Sequence, residues 1–514
     1  MTHFARSSLI VATFFGIDKV LAFGRQWIVN RQFGLSYELD VFNTANNIPD
    51  LLSALISGGA LGVALIPVLS EYLERKNRAA AWELFSRILN LAFIVTAAIA
   101  LVLALLAPWL VDTVIAPGFP AEQKALTSEL MRLDLIAILV FSISGLVMSS
   151  LQANQHFLLP ALAPALYNIG QIFGAVILAP ESGFQIGPIT LPAFGLGIHG
   201  LVYGVILGAV LHLGVQVPGL VHYRFRWKAA INLRHPGVRQ VLTLLGPRVL
   251  TMFFIQMFFT VRDNLASGLG EGAVTALNLG WFIMQVPETL LGTAIAIVLL
   301  PTISELFARE EYNEFSNTIN KALRVMLALT LPAAALLAVG LPPLVQFAFG
   351  FDPSGTATVV LATRIYLLGL AGHALLEIAA RSFYAQQNAT TPLWAAALNA
   401  LIYIVMAVGL TRVLGFPGIA LANILAFTFE ALLLLWLLRR RYPGILRVGS
   451  TLLRVIPAVS ATALGAYLLM RYLPLPAVPL SLGAMLLGLA VVVPFIRPEL
   501  RVLIGLGRRA KTEE

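Results

Sequence analysis

The 514-residue chain contains no cysteine, so a disulfide framework, a thiolate metal site and a cysteine nucleophile are all excluded. Charge is scarce as well. Only 11 % of the residues are Asp, Glu, Lys or Arg, against roughly 25 % in soluble domains, whereas 59 % are hydrophobic. No soluble fold could cover that much apolar surface. The ten-residue alternating segments of a β-barrel are missing too, which leaves helices as the way to satisfy backbone polar groups in lipid. Gly58-Gly59 is not followed by the Gly-Lys-Ser/Thr of a phosphate-binding loop, which argues against direct ATP hydrolysis and leaves ions, potential or substrate gradients as the energy source. No Ala-x-Ala cleavage site follows the first apolar stretch, which runs on through Asp18, Lys19 and Arg25 and reads as a retained membrane helix.

What the chain does have is a recurring apolar run of roughly seventeen to twenty residues, as at 91–110, 325–341 and 419–438, each about enough to cross a hydrocarbon core ~30 Å thick. The expected class is an all-α integral membrane protein with about fourteen transmembrane helices. They fall near 8–31, 40–70, 88–112, 127–153, 160–179, 193–221, 240–267, 273–303, 322–346, 358–384, 391–411, 416–438, 449–470 and 476–496. Even-numbered connections hold Arg75, Lys76 and Arg78, then Arg224, Arg226, Lys228, Arg234 and Arg239, then Arg439, Arg440 and Arg441. Odd-numbered ones hold Glu38, Asp112, Glu122, Glu181, Glu271 and Asp352. The positive-inside rule then puts both termini in the cytoplasm, for a multi-pass protein of the cytoplasmic (inner) membrane. The same loops account for the formal net charge of +9, an attraction to anionic membrane lipids rather than to nucleic acid.

Self-comparison shows a repeat. Leu65, Pro67, Ser70, Glu71 and Arg75 match Leu299, Pro301, Ser304, Glu305 and Arg309 at one offset of 234 residues, and Asn154 matches Asn388 at the same offset. An offset that carries span 2 onto span 8 describes two six-helix halves of like orientation, that is, parallel repeats. The expected organisation is a six-helix lobe at 1–222, a second at 223–445, and two additional helices with a cytoplasmic tail at 446–514.

Charges inside spans cost about 2.5–3.5 kcal/mol each at the bilayer centre, which makes them functional suspects. Span 1 holds Asp18, Lys19 and Arg25; six residues apart, Lys19 and Arg25 lie about a third of a turn from a common face. Arg262 occupies nearly the place in the second repeat that Arg25 occupies in the first, and inward-facing guanidinium groups suit the bidentate binding of a diphosphate. The alternative is a structural pair of Arg262 with Asp263, which is otherwise a further coupling or cavity candidate. On span 10, His373, Glu377 and Arg381 follow at i, i+4 and i+8 and share a helix face, as a protonatable coupling relay or as a local Glu–Arg bridge. His-x-x-x-Glu with no third ligand is a weak metal motif, so neither metal nor cofactor is expected. Span 2 is broken by Asn43, Asn46, Asn47, Pro49 and Asp50 and by Ser57-Gly58-Gly59, as where helices line a wet cavity or pack closely.

From residue 19 to 72 the chain resembles the MurJ/MviN family of the multidrug/oligosaccharidyl-lipid/polysaccharide exporter superfamily. Lys19-Val20-Leu21-Ala22-Phe23-Gly24-Arg25 is similar to that family's R-x-x-G-F-x-R, with Lys for the first Arg and Ala for the Gly. Likeness continues through Phe33-Gly34, Asp40-Val41-Phe42, 48–52, Gly59-Ala60 and 67–72. It extends through Ala116-Pro117-Gly118-Phe119, Leu126-Thr127-Ser128, 160–168, Leu299-Leu300-Pro301, Ser382-Phe383-Tyr384-Ala385 and Thr391-Pro392, nearly the whole chain. The resemblance implies a twelve-helix core, two helices forming a groove for a polyprenyl tail, and cavity residues at Lys19, Arg25 and Asp40. It further implies a flippase, not an enzyme, moving the cell-wall precursor lipid II from the inner to the outer leaflet by alternating access. Lipid II and membrane lipids are then the expected partners, with cell-wall synthesis proteins as candidates. Ser53, Gly58, Phe282 and Gln285 depart from the family's Arg, Glu, Arg and Glu. Those departures keep a flippase for another polyprenyl-diphosphate-linked glycan open, together with a drug/cation antiporter of the superfamily and a membrane-embedded glycosyl- or phosphotransferase.

Overall fold

Helices in this chain begin and end where short polar side chains, proline and glycine allow. The Asn77 side chain caps one helix by accepting from Ala80 N at 2.7 Å, Asp352-Pro353 opens another, and Gly350 closes one with φ of 69°. The computed structural model describes residues 3–56, 60–186 and 189–512, so Ser57, Gly58 and Gly59 of the expected break lie outside the described residues.

Internal contacts divide the chain into two units, Met1–Gly272 and Ala273–Glu514. The first holds α1 (His3–Phe33), α2 (Tyr37–Ala45), α3 (Asn47–Ile56), α4 (Ala60–Arg75), α5 (Arg78–Leu110), α6 (Ala121–Ala153), α7 (Leu158–Phe173), α8 (Ile198–Gly214), α9 (Val217–His222) and α10 (Pro236–Ala266). A two-residue hairpin, β1 (Gln185–Ile186) with β2 (Ile189–Thr190), lies between α7 and α8. The second unit holds α11 (Ala273–Pro287), α12 (Ala294–Ala308), α13 (Tyr312–Phe349), α14 (Pro353–Leu368), α15 (Leu370–Tyr384), α16 (Thr390–Leu414), α17 (Phe416–Arg441), α18 (Gly449–Tyr472) and α19 (Ala477–Thr512). The helix α10, which the repeat assigns to the second lobe, packs on α3 and α4 of the first unit.

Among the described residues nine helical stretches are long and apolar enough to cross a membrane, and α14 with α15, bent by 41° at Gly369, passes the same test only when the two are taken together as one broken span. The protein is an all-helical, multi-pass membrane protein. The other expected spans fall on α1, on α2 to α4, on α10 and on α11 with α12, where charges or breaks interrupt the apolar run. Between α11 and α12 the break is a widened, π-helical segment, Glu288–Thr293.

The repeat is visible in local contacts. Glu71 pairs with Arg75 at 3.3 Å on α4, and Glu305 pairs with Arg309 on α12 in the same i, i+4 manner. A similar contact recurs with the arginine two residues off the repeat's offset: Arg132 Nε donates to Ala104 O at 2.8 Å in the first unit, and Arg364 Nε donates to Ala338 O at 2.7 Å in the second. Each unit has its own apolar core. One gathers Leu65, Leu69, Phe85 and Leu146, the other Leu299, Ile303, Phe315 and Ile319.

Packing of α7 on α8 is backbone to backbone. A Cβ added at Gly170 would sit 2.4 Å from Gly208 Cα, and one at Gly174 would sit 2.6 Å from Gly204 Cα. Small residues spaced by four allow such an approach, and dispersion replaces the hydrophobic drive that lipid does not supply. The C-terminal pair α18 and α19 is tied to α13 through the buried Glu499, which accepts from Arg454 at 2.6 and 2.7 Å, from Arg324 at 2.9 Å and from Thr451 at 2.8 Å.

Candidate functional site

In the first unit α1 lies along α7, and two polar pairs join them at helical spacing. Asn168 Nδ2 donates to Asp18 Oδ1 at 2.8 Å, and Arg25 Nη1 donates to Gln171 Oε1 at 2.9 Å. Seven residues apart on α1, Asp18 and Arg25 recur on one face after nearly two turns, which is why Asn168 and Gln171, three apart on α7, meet them both. Arg25 is half-buried and Lys19 exposed. Two carboxyl groups lie nearby. Asp50 of α3 is within electrostatic range of Arg25, and Asp134 of α6 is within range of Asp50. Tyr167 of α7 faces the same group of charges. A guanidinium held in place by an amide can bind an anion.

A second constellation in this unit joins α2, α3 and α10. Arg262 Nε donates to Asp263 Oδ1 at 2.7 Å, Asn47 Nδ2 donates to Asp263 Oδ2 at 2.7 Å, and the Arg262 guanidinium lies 5.1 Å from the Phe259 ring. Arg262 is only 5 % exposed. Buried ion pairs hold their geometry when each lone pair is met, as Asp263 is here by two partners. Asp40, buried at the start of α2, accepts from Gly272 N at 2.7 Å, and Glu271 accepts from Tyr37 N at 3.1 Å. Gly272 has φ of +80°, a conformation that glycine adopts without a steric penalty and that turns its N–H toward Asp40.

In the second unit the three expected residues of α15 are separated in role. Glu377 and Arg381 form an i, i+4 ion pair. His373 is buried between aromatic rings, stacked on Phe427 at 4.3 Å and edge-on to Trp281 at 5.3 Å. Glu288 of the π-helical segment lies within range of Arg381, and the buried Glu430 of α17 accepts from Asn399 at 2.5 Å. Sequence reasoning did not single out Gln171, Asn168, Asp134, Glu430 or Glu499. A charge inside an apolar span, the signal applied to Arg25, also marks Asp134 and Glu430; the two amides carry no such mark.

Over residues 29–489 the sequence matches the family model described as lipid II flippase MurJ. The chain belongs to that family. A Burkholderia cenocepacia protein named lipid II flippase MurJ is 31 % identical over 396 residues, covering 75 % of this chain and 74 % of that one. A solved MurJ structure described as the lipid II flippase in an inward closed conformation superposes with a TM-score of 0.81 at 23 % identity, covering 96 % of this chain and 100 % of that one. An inward-facing multidrug transporter of the MATE family superposes with a TM-score of 0.68 at 14 % identity, over 84 % of this chain and 96 % of that one. Both superpositions speak for the fold, and the family rests on the model match and the Burkholderia cenocepacia relative.

Proposed function

We propose that this protein moves lipid II from the inner to the outer leaflet of the cytoplasmic membrane, with both termini in the cytoplasm. The observation that carries the reading is a MurJ family match that runs from residue 29 to 489. In the proposed mechanism Arg25 and Lys19 of α1 take the diphosphate of the head group while the polyprenyl tail stays in lipid. Each charge-assisted contact to phosphate contributes about 1.5–3 kcal/mol. Alternating access then carries the head group across, and no bond is made or broken. Glu377, Arg381 and His373 are the coupling or cavity residues of this scheme. Arg262 is read as the structural partner of Asp263, the alternative that the sequence left open, and Asp40 as the anchor of the turn at Gly272.

Ser53, Phe282 and Gln285 stand where the family commonly carries charge, and this favours, as a second reading, a different polyprenyl-diphosphate-linked glycan. Expression of the gene in a strain depleted of its essential lipid II flippase decides between them. Rescue of growth supports lipid II as the substrate. Failure to rescue with the protein present in the membrane supports another glycan.

A further inference from the structure

Asp134 lies 1 % exposed in the first half of α6, and neither carboxylate oxygen meets a hydrogen-bond donor. Its surroundings are apolar: Leu135 and Ile138 pack there with Leu52 of α3 and Ala100 of α5. An ionised carboxylate so placed would cost several kcal/mol unless a cation met it. Ionisable groups in membrane spans persist where they move charge.

The packed helices offer little to neutralise it. From α3 comes Asp50, a like charge, and from α7 comes Tyr167. Asp40 of α2 accepts from Gly272 N, and His212 of α8 is engaged with Ser144 at 2.6 Å. The acidic and basic groups of α4 and α5 are confined to the ends joined by residues 75–78. On α6 itself Glu129 faces His199, Lys124 holds Asp112 beyond α5, and Arg132 is exposed and donates to Ala104 O; α9 brings only His222, at its far end. The cation that acts on Asp50 is Arg25. Among the described residues no three His, Asp or Glu gather as metal ligands, which favours a proton over a metal ion.

We propose that Asp134 and Asp50 form a proton-accepting pair linked to Arg25, so that an anionic diphosphate arriving at Arg25 draws a proton onto the pair. The inference rests on the reading of Arg25 as a diphosphate contact. The Arg25 guanidinium acts on Asp50, and Asp50 in turn acts on Asp134; a diphosphate both occupies that guanidinium and adds negative charge beside the carboxyl pair. Asp50 is exposed and Asp134 buried, so a phosphate brought beside the pair favours the neutral acid chiefly at the unsolvated Asp134. Linkage fixes the sign: if binding takes up a proton, affinity falls as pH rises.

The test uses the full-length protein in lipid nanodiscs with farnesyl diphosphate as the probe, titrated calorimetrically in buffers of different ionisation enthalpy, with sodium or choline as the salt cation. The expected result is uptake of about one proton per diphosphate bound, lost in Asp134→Asn while binding persists, and independent of sodium. Equal uptake in wild type and Asp134→Asn, binding without uptake, or uptake replaced by a sodium requirement overturns the proton pair and leaves the diphosphate reading intact. Absence of binding in the wild type overturns that reading and the inference with it. Infrared difference spectra of the wild type on probe addition do not depend on the variant folding. A gained carboxylic-acid C=O band supports the pair, and its absence overturns it.

Discussion

Arg25 on α1 donates from Nη1 to Gln171 Oε1 on α7 at 2.9 Å, across 146 residues of chain. The amide fixes one arm of the guanidinium and leaves the side chain half-buried at the helix surface. Pre-orientation of this kind lowers the entropy lost when a phosphate binds.

Arg25→Ala is therefore expected to weaken binding of a lipid-linked diphosphate by about tenfold or more. Arg25→Lys restores part of this, because a point charge lacks the bidentate fork. Gln171→Ala has a smaller effect in the same direction. Equilibrium binding in nanodiscs measures all three, and an unchanged affinity in Arg25→Ala removes this residue from the head-group site.

For Asp263 the expected loss is in stability. Asp263→Ala removes the carboxylate that the buried Arg262 and Asn47 both meet, at a cost of about 3 kcal/mol or more. Replacing both, as Arg262→Met with Asp263→Leu, recovers much of it. Thermal unfolding in detergent reports the difference; a double variant no more stable than Asp263→Ala would show that the pair is not the source.

Asp352, outside the spans, caps α14 by accepting from Gly355 N at 3.0 Å and from the Ser354 hydroxyl, and these bonds hold its carboxyl below the usual range. A carboxyl with a lowered folded pKa stabilises the fold above its unfolded value of 3.8 and loses that contribution as pH falls through the folded one. Asp352→Ala should lower Tm at neutral pH, with the gap to wild type closing only in acid. A gap independent of pH would mean that charge at the cap is unimportant.

Orientation is tested by reporters fused at Lys228 and at Asp352. The loop charges predict that the first reports cytoplasm and the second the outer face. The reverse pattern would invert every assignment of sidedness made for this chain.

Helical class, membrane location and family could all be read from the sequence, since apolar length and the motif from Lys19 to Arg25 are local signals. Arg25 stood out because charge in a span is costly. Its partner did not, because nothing in the sequence links Gln171 to a helix 146 residues away. Asp134 carries the same signal as Arg25, a charge inside an apolar span, but no motif or repeat partner marks it further. His373 shares a helix face with Glu377 and Arg381, as spacing requires, yet its ring lies between Trp281 and Phe427, a contact set by α11 and α17 rather than by α15. The sequence repeat starts its second half before α10, while α10 and the turn after it are held to α3 and α2 by the Asp263 and Gly272 bonds, which join residues more than 200 apart and leave no local signal.

The glycine seam between α7 and α8 restricts how the first unit can move. With Gly170 against Gly208 and Gly174 against Gly204 there is no layer of side chains to act as a bearing, so neither helix can roll or slide on the other without backbone collision. Asn168 and Gln171 flank Gly170. Any transport stroke must therefore carry α7 and α8 as one rigid strut, and the hold on Asp18 and Arg25 is released when α1 and that strut move apart.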